Sequence, residues 1–299
     1  MNQKDRFRGC LLGLASGDAV GTTLEFRPRG TFTPLTDMIG SGPFRLQPGQ
    51  WTDDTSMALC LATSLVEKKG FDPQDQMERY SRWYEEGYLS STGDCFDIGW
   101  TTSAAIRSFK KTSNPFSASA DPNSAGNGSI MRLAPVPMYF YPEIDLAERY
   151  GAESSRTTHG AMECIDACRL LARIIHRALE GKPKEEVLLG ESRSFVGSDK
   201  IVAIGQGDYL KKSEGEIRGS GYVVDCLEAA MWCFSKTESF EEAILTSANL
   251  GDDADTTAAV CGQVAGAFYG ESGIPTRWLE KLAMCEDIRY LADRLRDKT

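Results

Sequence analysis

Apolar residues recur along most of this chain at the spacing of one face of a helix. Phe7, Cys10, Leu11 and Leu14 form a first stripe, and Met57, Leu61 and Leu65 a second, with none of the alternation expected of a strand. Asp72-Pro73 reads as the N-cap and first residue of a helix carrying Met77, Tyr80 and Tyr84. Ala161, Ile165, Cys168, Ala172, Ile175 and Leu179 mark the longest candidate helix, and Leu227, Ala230, Met231 and Phe234 mark another. Thr256 to Gly270 is rich in Ala and Gly, with Gly262 and Gly266 four apart, so a neighbouring helix can approach its backbone closely. That places it in the centre of a bundle. Pro275 and Trp278 open a terminal helical region. The expectation is an all-α fold, one compact helical bundle over residues 1–299, with loops at Gly40 to Gln50, Thr112 to Gly128 and Gly190 to Gly221.

Charge narrows the partners. A net charge of −10, with basic pairs scattered at Lys68-Lys69, Lys110-Lys111 and Lys211-Lys212, argues against a nucleic-acid surface. The apolar run from Cys10 to Ala19 is interrupted by glycines and Asp18 and is far too short to span a membrane. Nine cysteines form no C-x-x-C pair and several fall on apolar stripes, which fits reduced thiols in the cytoplasm.

The chemistry concentrates in two acidic clusters, Thr52-Asp53-Asp54-Thr55 and Asp252-Asp253-Ala254-Asp255-Thr256, each where a helix begins. Either alone reads as an N-cap followed by first-turn acids. Together, with hydroxyls beside crowded carboxylates and only two histidines in the chain, they suggest an oxygen-ligand site for Mg²⁺ or Mn²⁺ rather than zinc. An EF-hand counted from Asp252 lacks its sixth-position glycine and has Gln263 in place of the closing Glu.

Other positions keep two readings. Gly13, Gly17 and Gly21 suit either close helix packing or approach of a ligand, with Asp18 beside the second, and no Walker or dinucleotide fingerprint is present. Gly126-Asn127-Gly128-Ser129 runs into an apparent helix start, suited to an anion or to a plain turn with a Ser cap. His176 lies within a regular helix and reads as structural. His159, after Thr157-Thr158, stands at the start of one and can contact a ligand. Asp97 reads as a cap for the helix running toward Phe109.

Taken in order, Gly17 to Gly21 with Glu25, Trp51 to Met57, Asp97-Ile98-Gly99, Gly126 to Arg132, Thr158-His159 and Asn249 to Thr257 resemble the ADP-ribosylglycohydrolase family. The resemblance implies an all-α enzyme with two Mg²⁺ or Mn²⁺ ions that releases ADP-ribose from a modified protein side chain, most readily arginine. On matching positions, Thr52, Asp53, Asp54 and Asp255 would hold one ion, and Asp253, Asp255 and Thr256 the other, with Asp255 as the bridge. Glu25, Asp54, Asp97 and Asp255 would be the catalytic carboxylates, with the base unassigned. Asn127, Gly128, Ser129 and His159 would receive the diphosphate and ribose. One departure is Gly251-Asp252-Asp253 where many relatives have Gly-Gly-Asp. The remaining ligand spacing is retained, which argues against a member that has lost catalysis.

Overall fold

The structure, a computed structural model, describes residues 1–298. Its fourteen α-helices are α1 (Gln3–Gly21), α2 (Asp53–Lys68), α3 (Pro73–Glu86), α4 (Trp100–Thr112), α5 (Pro135–Phe140), α6 (Ile144–Arg156) and α7 (Met162–Glu180), then α8 (Lys184–Leu188), α9 (Asp199–Gln206), α10 (Val223–Lys236), α11 (Phe240–Ala248), α12 (Ala254–Tyr269), α13 (Thr276–Leu279) and α14 (Cys285–Asp297). Among the described residues there is no strand, only isolated bridges joining Ser41 to Leu46 and Gly126 to Tyr222.

The helix ends follow local chemistry. The Asp72 carboxylate accepts from the Asp75 amide at 3.0 Å, Pro73 occupies the first turn of α3, and Gly87 closes it at φ 66°. Met77 and Tyr80 are buried as their spacing requires, as is Trp83 beside them. The stripe of α7 is buried from Cys164 to Leu179, and His176 within it bonds the Pro142 carbonyl through Nε2 at 2.9 Å, a structural role. All nine cysteines are free and seven are buried. No described helix is long and apolar enough to cross a membrane.

Two helices sit at the centre. α1 is buried continuously from Gly9 to Gly21 and α12 from Ala254 to Ala267. They run antiparallel along a seam of small residues. A Cβ added at Gly9, Gly13, Gly17 or Gly21 would lie 2.2–2.4 Å from the carbonyl oxygens of Gly266, Gly262, Ala258 and Ala254 respectively. Gly262 and Gly266 are equally tight against Gly13 and Gly9. Of the two readings of the α1 glycines, close packing is therefore the observed one. Arg6 secures the other end, donating through Nη1 to the last carbonyls of α7 (Ala178, 3.2 Å) and α12 (Ala267, 3.1 Å; Phe268, 2.8 Å), where a cation suits the helix dipole.

The antiparallel seam brings the C-terminal end of α1 to the N-terminal end of α12, so residues near 20 meet residues near 255. Two expectations need correction. The 190–221 region is not simply loop, because α9 and several 3₁₀ turns lie within it. Gly126 to Arg132 does not start a regular helix: the Asn127 carbonyl accepts from Ile130 and Met131, one turn forms, and α5 begins only at Pro135.

Candidate active site

Both acidic clusters begin helices, but neither caps its own. Thr52 is the N-cap of α2 and makes no side-chain cap; its hydroxyl donates instead to Asp18 Oδ1 at 2.9 Å. Asp18, reaching across from α1, also accepts from the Thr52 amide (2.9 Å), the Thr55 amide (3.0 Å) and the Thr55 hydroxyl (2.6 Å). It thus satisfies the free N–H groups at the start of α2 from outside that helix. Burial pushes the Asp18 carboxyl up to about 6 even though the four bonds favour its charged form.

At α12 the arrangement repeats. Asp253 is the N-cap and caps nothing with its side chain, while Glu25 Oε2 accepts from the Ala254 amide at 2.9 Å. An acid from another element caps each helix, and the cluster carboxylates are left to face one another. Asp252 is exposed at φ 59°, and its backbone exchanges two 2.8 Å bonds with the loop after Glu25, to Phe26 and Arg27. The extra acid is a turn residue that fastens the Glu25 loop to the second cluster.

The clusters meet where Thr256 Oγ1 lies 3.3 Å from Asp54 Oδ1. Glu25, Asp253 and Asp255 each offer a carboxylate oxygen within 4.8 Å of the others. Asp54 Oδ2 and Asp255 Oδ2 are buried and have no hydrogen-bond partner among the described residues. Buried carboxylate oxygens left without a donor are costly, and hard oxygen donors at this density fit a divalent cation such as Mg²⁺ or Mn²⁺. Without a cation the acids resist ionisation. Burial and the neighbouring Asp255 raise Asp97 to about 11, and burial with Asp253 raises Asp255 to about 7. Asp53, Asp54, Asp253 and Glu25 are all shifted upward as well, by burial first.

A cavity of about 570 Å³ opens over this cluster. Glu25, Asp53, Asp97, Asp253, Asp255 and Thr256 line one side, and Asn127, Gly128 and His159 the other. Thr52 and Asp54 lie fully buried beneath it. Asn127 Nδ2 donates to Asp253 Oδ2 at 2.9 Å and so links the two sides. Ser129 is different: its hydroxyl is 3.0 Å from Ser155 Oγ in the core, and its side chain does not line the cavity. Asp97 is not a helix cap. Gly99 is the N-cap of α4, and Asp97, at φ 60°, turns toward Asp255, a backbone strain of the kind concentrated at functional sites.

The sequence reading missed Asp18 as a supporting group, although its place beside Gly17 was visible. It also missed the aromatic mouth. Phe26 stands edge-on to Phe44 at 6.2 Å between ring centres, Phe44 tilts against Phe96 at 5.3 Å, and Trp100 is 80% exposed at the rim. Large exposed aromatics close to a polar cavity were the available signal, but exposure cannot be read from sequence.

The ADP-ribosylglycohydrolase family model matches residues 1–299. The chain is 47% identical over 294 residues to the ADP-ribosylarginine hydrolase Tri1 of Pseudomonas putida (strain GB-1), covering 98% of this chain and 78% of that protein. It is 32% identical to the ADP-ribosyl-dinitrogen reductase glycohydrolase of Rhodospirillum rubrum, covering 97% and 95%. A solved structure described as an ADP-ribosylglycohydrolase-related protein complex superposes with a TM-score of 0.86 at 42% identity, covering 99% of this chain and 98% of that one. With two externally capped acidic helix starts meeting under a cavity and a match along its whole length, the chain belongs to the ADP-ribosylglycohydrolase family, enzymes that hydrolyse the glycosidic bond of ADP-ribose.

Proposed function

We propose that this enzyme, acting as one unit over residues 1–299, removes ADP-ribose from arginine side chains of a modified protein in the cytoplasm, with two Mg²⁺ or Mn²⁺ ions. The observation that carries the metal reading is the pair of buried, unpartnered oxygens on Asp54 and Asp255 where the two clusters meet. Thr52, Asp53, Asp54 and Asp255 would hold one ion, and Asp253, Asp255 and Thr256 the other. The Thr52 geometry supports this, because its hydroxyl proton is committed to Asp18 and its oxygen lone pairs remain for a cation. When bound, the ions would offset the carboxylate charge, orient the ribose hydroxyls and acidify a water near C1″.

The chain's own groups do the remainder. Asn127, Gly128, Ser129 and His159 receive the diphosphate and ribose, with Ser129 acting through its backbone because its hydroxyl is turned into the core. Asp97 at the mouth matches a planar guanidinium through two parallel hydrogen bonds, a geometry that a serine hydroxyl does not offer. As the C1″–N bond breaks, positive charge grows at C1″ and is stabilised by the surrounding carboxylates. The nitrogen leaves with the electron pair of that bond, so the guanidinium departs as a neutral guanidine against the Asp97 carboxylate and regains its charge with the proton that the attacking water gives up. One of Glu25, Asp54 or Asp255 accepts the proton released as water bonds to C1″.

The arginine preference draws on the relatives named ADP-ribosylarginine hydrolases. Its test is turnover of matched peptides carrying arginine-linked and serine-linked ADP-ribose. Faster release from arginine is expected. Faster release from serine would reject the linkage while leaving the hydrolase reading intact.

A further inference from the structure

Behind His159 lies a buried polar chain that the proposed reaction does not use. Arg132 is fully buried, and the oxygens it bonds are those of carbonyls and hydroxyls. Its guanidinium sits over the Tyr80 ring, 4.7 Å from the centroid, with Nη1 donating to the Gly128 carbonyl at 3.0 Å and Nη2 to Thr158 Oγ1 at 2.6 Å. The same Thr158 oxygen lies 2.9 Å from His159 Nδ1.

The donor and acceptor count leaves one consistent arrangement. A guanidinium offers hydrogens and no acceptor, whereas a threonine hydroxyl owns a single proton. With Arg132 donating to it, Thr158 has that proton left for Nδ1, which must then be the unprotonated ring nitrogen. In the opposite tautomer, Arg132 and His159 would both donate to one oxygen, and the proton of a fully buried hydroxyl would be left without an acceptor in this network. The ring proton therefore belongs on Nε2. That nitrogen is on the cavity side, where a Cβ added at Gly126 or Gly128 would come within 3.4 Å or 3.1 Å of it.

We infer that Arg132 and Thr158 are positioning residues that lock His159 in its Nε2–H tautomer, so that the imidazole presents a hydrogen-bond donor to an oxygen of the bound ADP-ribose. This rests on the placement of ADP-ribose against His159 proposed above. The ring also stays neutral, because burial and the Arg132 charge push its pKa down to about 3. A neutral ring has one donor and one acceptor, and the relay decides which of them faces the ligand.

With only two histidines in the chain, the test is direct. Ring ¹⁵N spectra of the histidine-labelled, metal-free protein are assigned by loss of one set of signals in H159Q. The expected wild-type spectrum near pH 7 has a pyridine-like Nδ1 and a protonated Nε2 at His159. Thr158→Val, similar in shape but without the hydroxyl, is expected to lose this fixed pattern and to weaken ADP-ribose binding by about tenfold in calorimetry, whereas Thr158→Ser retains both. A wild-type spectrum with the proton on Nδ1, or a Thr158→Val protein with unchanged tautomer, overturns the relay. A correct tautomer together with unchanged ADP-ribose affinity in H159Q leaves the relay standing but overturns the donor role, and with it the ligand placement on which that role rests.

Discussion

The two sides of the cavity solve opposite electrostatic problems. On one, six acidic side chains from four segments crowd together, and their ionisation is suppressed by burial and mutual repulsion. On the other, a single buried arginine sits among carbonyls, hydroxyls and an aromatic face, and burial together with its charge keeps the neighbouring histidine neutral. The first side suits cations and the second an electron-rich ligand. ADP-ribose, with an anionic diphosphate beside the ribose whose C1″ reacts, offers a group suited to each side.

The largest effect should come from breaking the acidic side at its centre. Chelation should abolish turnover and Mn²⁺ or Mg²⁺ should restore it. Asp255→Ala should lose at least about a thousandfold, ~4 kcal/mol of transition-state stabilisation, and exceed the loss in Asp53→Ala. Metal titration beside turnover checks this, and near-normal values of both in Asp255→Ala would remove the bridging assignment. Asp97→Asn, on the same side, should slow arginine-linked turnover by at least about tenfold, ~1.4 kcal/mol, with metal content nearly unchanged.

On the opposite side the effect should appear in binding. Gly128→Val should weaken ADP-ribose affinity by about tenfold or more, since even its Cβ would stand 2.7 Å from His159 Cε1. Ser129→Ala should change affinity by less than about threefold, its hydroxyl being turned away. Equal, negligible effects in calorimetry would contradict the placement.

The smallest effect is a dependence of stability on pH. Asp255 titrates near 7 in the metal-free fold, well above an unfolded Asp near 4. The folded state therefore holds a proton that the unfolded chain releases. This stabilisation is complete below about pH 4 and is lost as pH rises through about 7. Metal-free protein should melt lower at pH 8 than at pH 5, while the stabilisation conferred by Mn²⁺ grows with pH because its ligands must be ionised. Thermal melts with and without metal read both slopes, and a metal-free protein more stable at pH 8 would contradict the upward shift.

What the sequence disclosed was local. Asp72-Pro73, the α7 stripe and the glycine spacing of α12 each encode their structure within a turn or two, and each is found as expected. The acidic clusters were visible because their members are adjacent. Hidden from that view was every arrangement that depends on distant segments: Asp18 capping a helix that starts 35 residues later, Glu25 capping one more than two hundred residues away, and Arg132 reaching Thr158. Short α9 is not legible in the sequence because eight residues give too few turns for a periodic signal. For Asp97 the local pattern favours a cap, the common use of an isolated acid before a helix, whereas Gly99 takes that position and only the family resemblance points to another role.

The antiparallel seam of α1 and α12 has a consequence for how the molecule is made. Its two halves lie at opposite ends of the chain, so on a ribosome the first helix emerges long before the one that fits its glycine face. Until residues near 269 are free, α1 has no mate, Glu25 has no helix to cap, and only half of the acidic side exists. The acidic side is thus assembled only once α12 has emerged. A chain ending before α12 would lack Asp253, Asp255 and Thr256, so the central seam and the acidic side of the cavity are completed together.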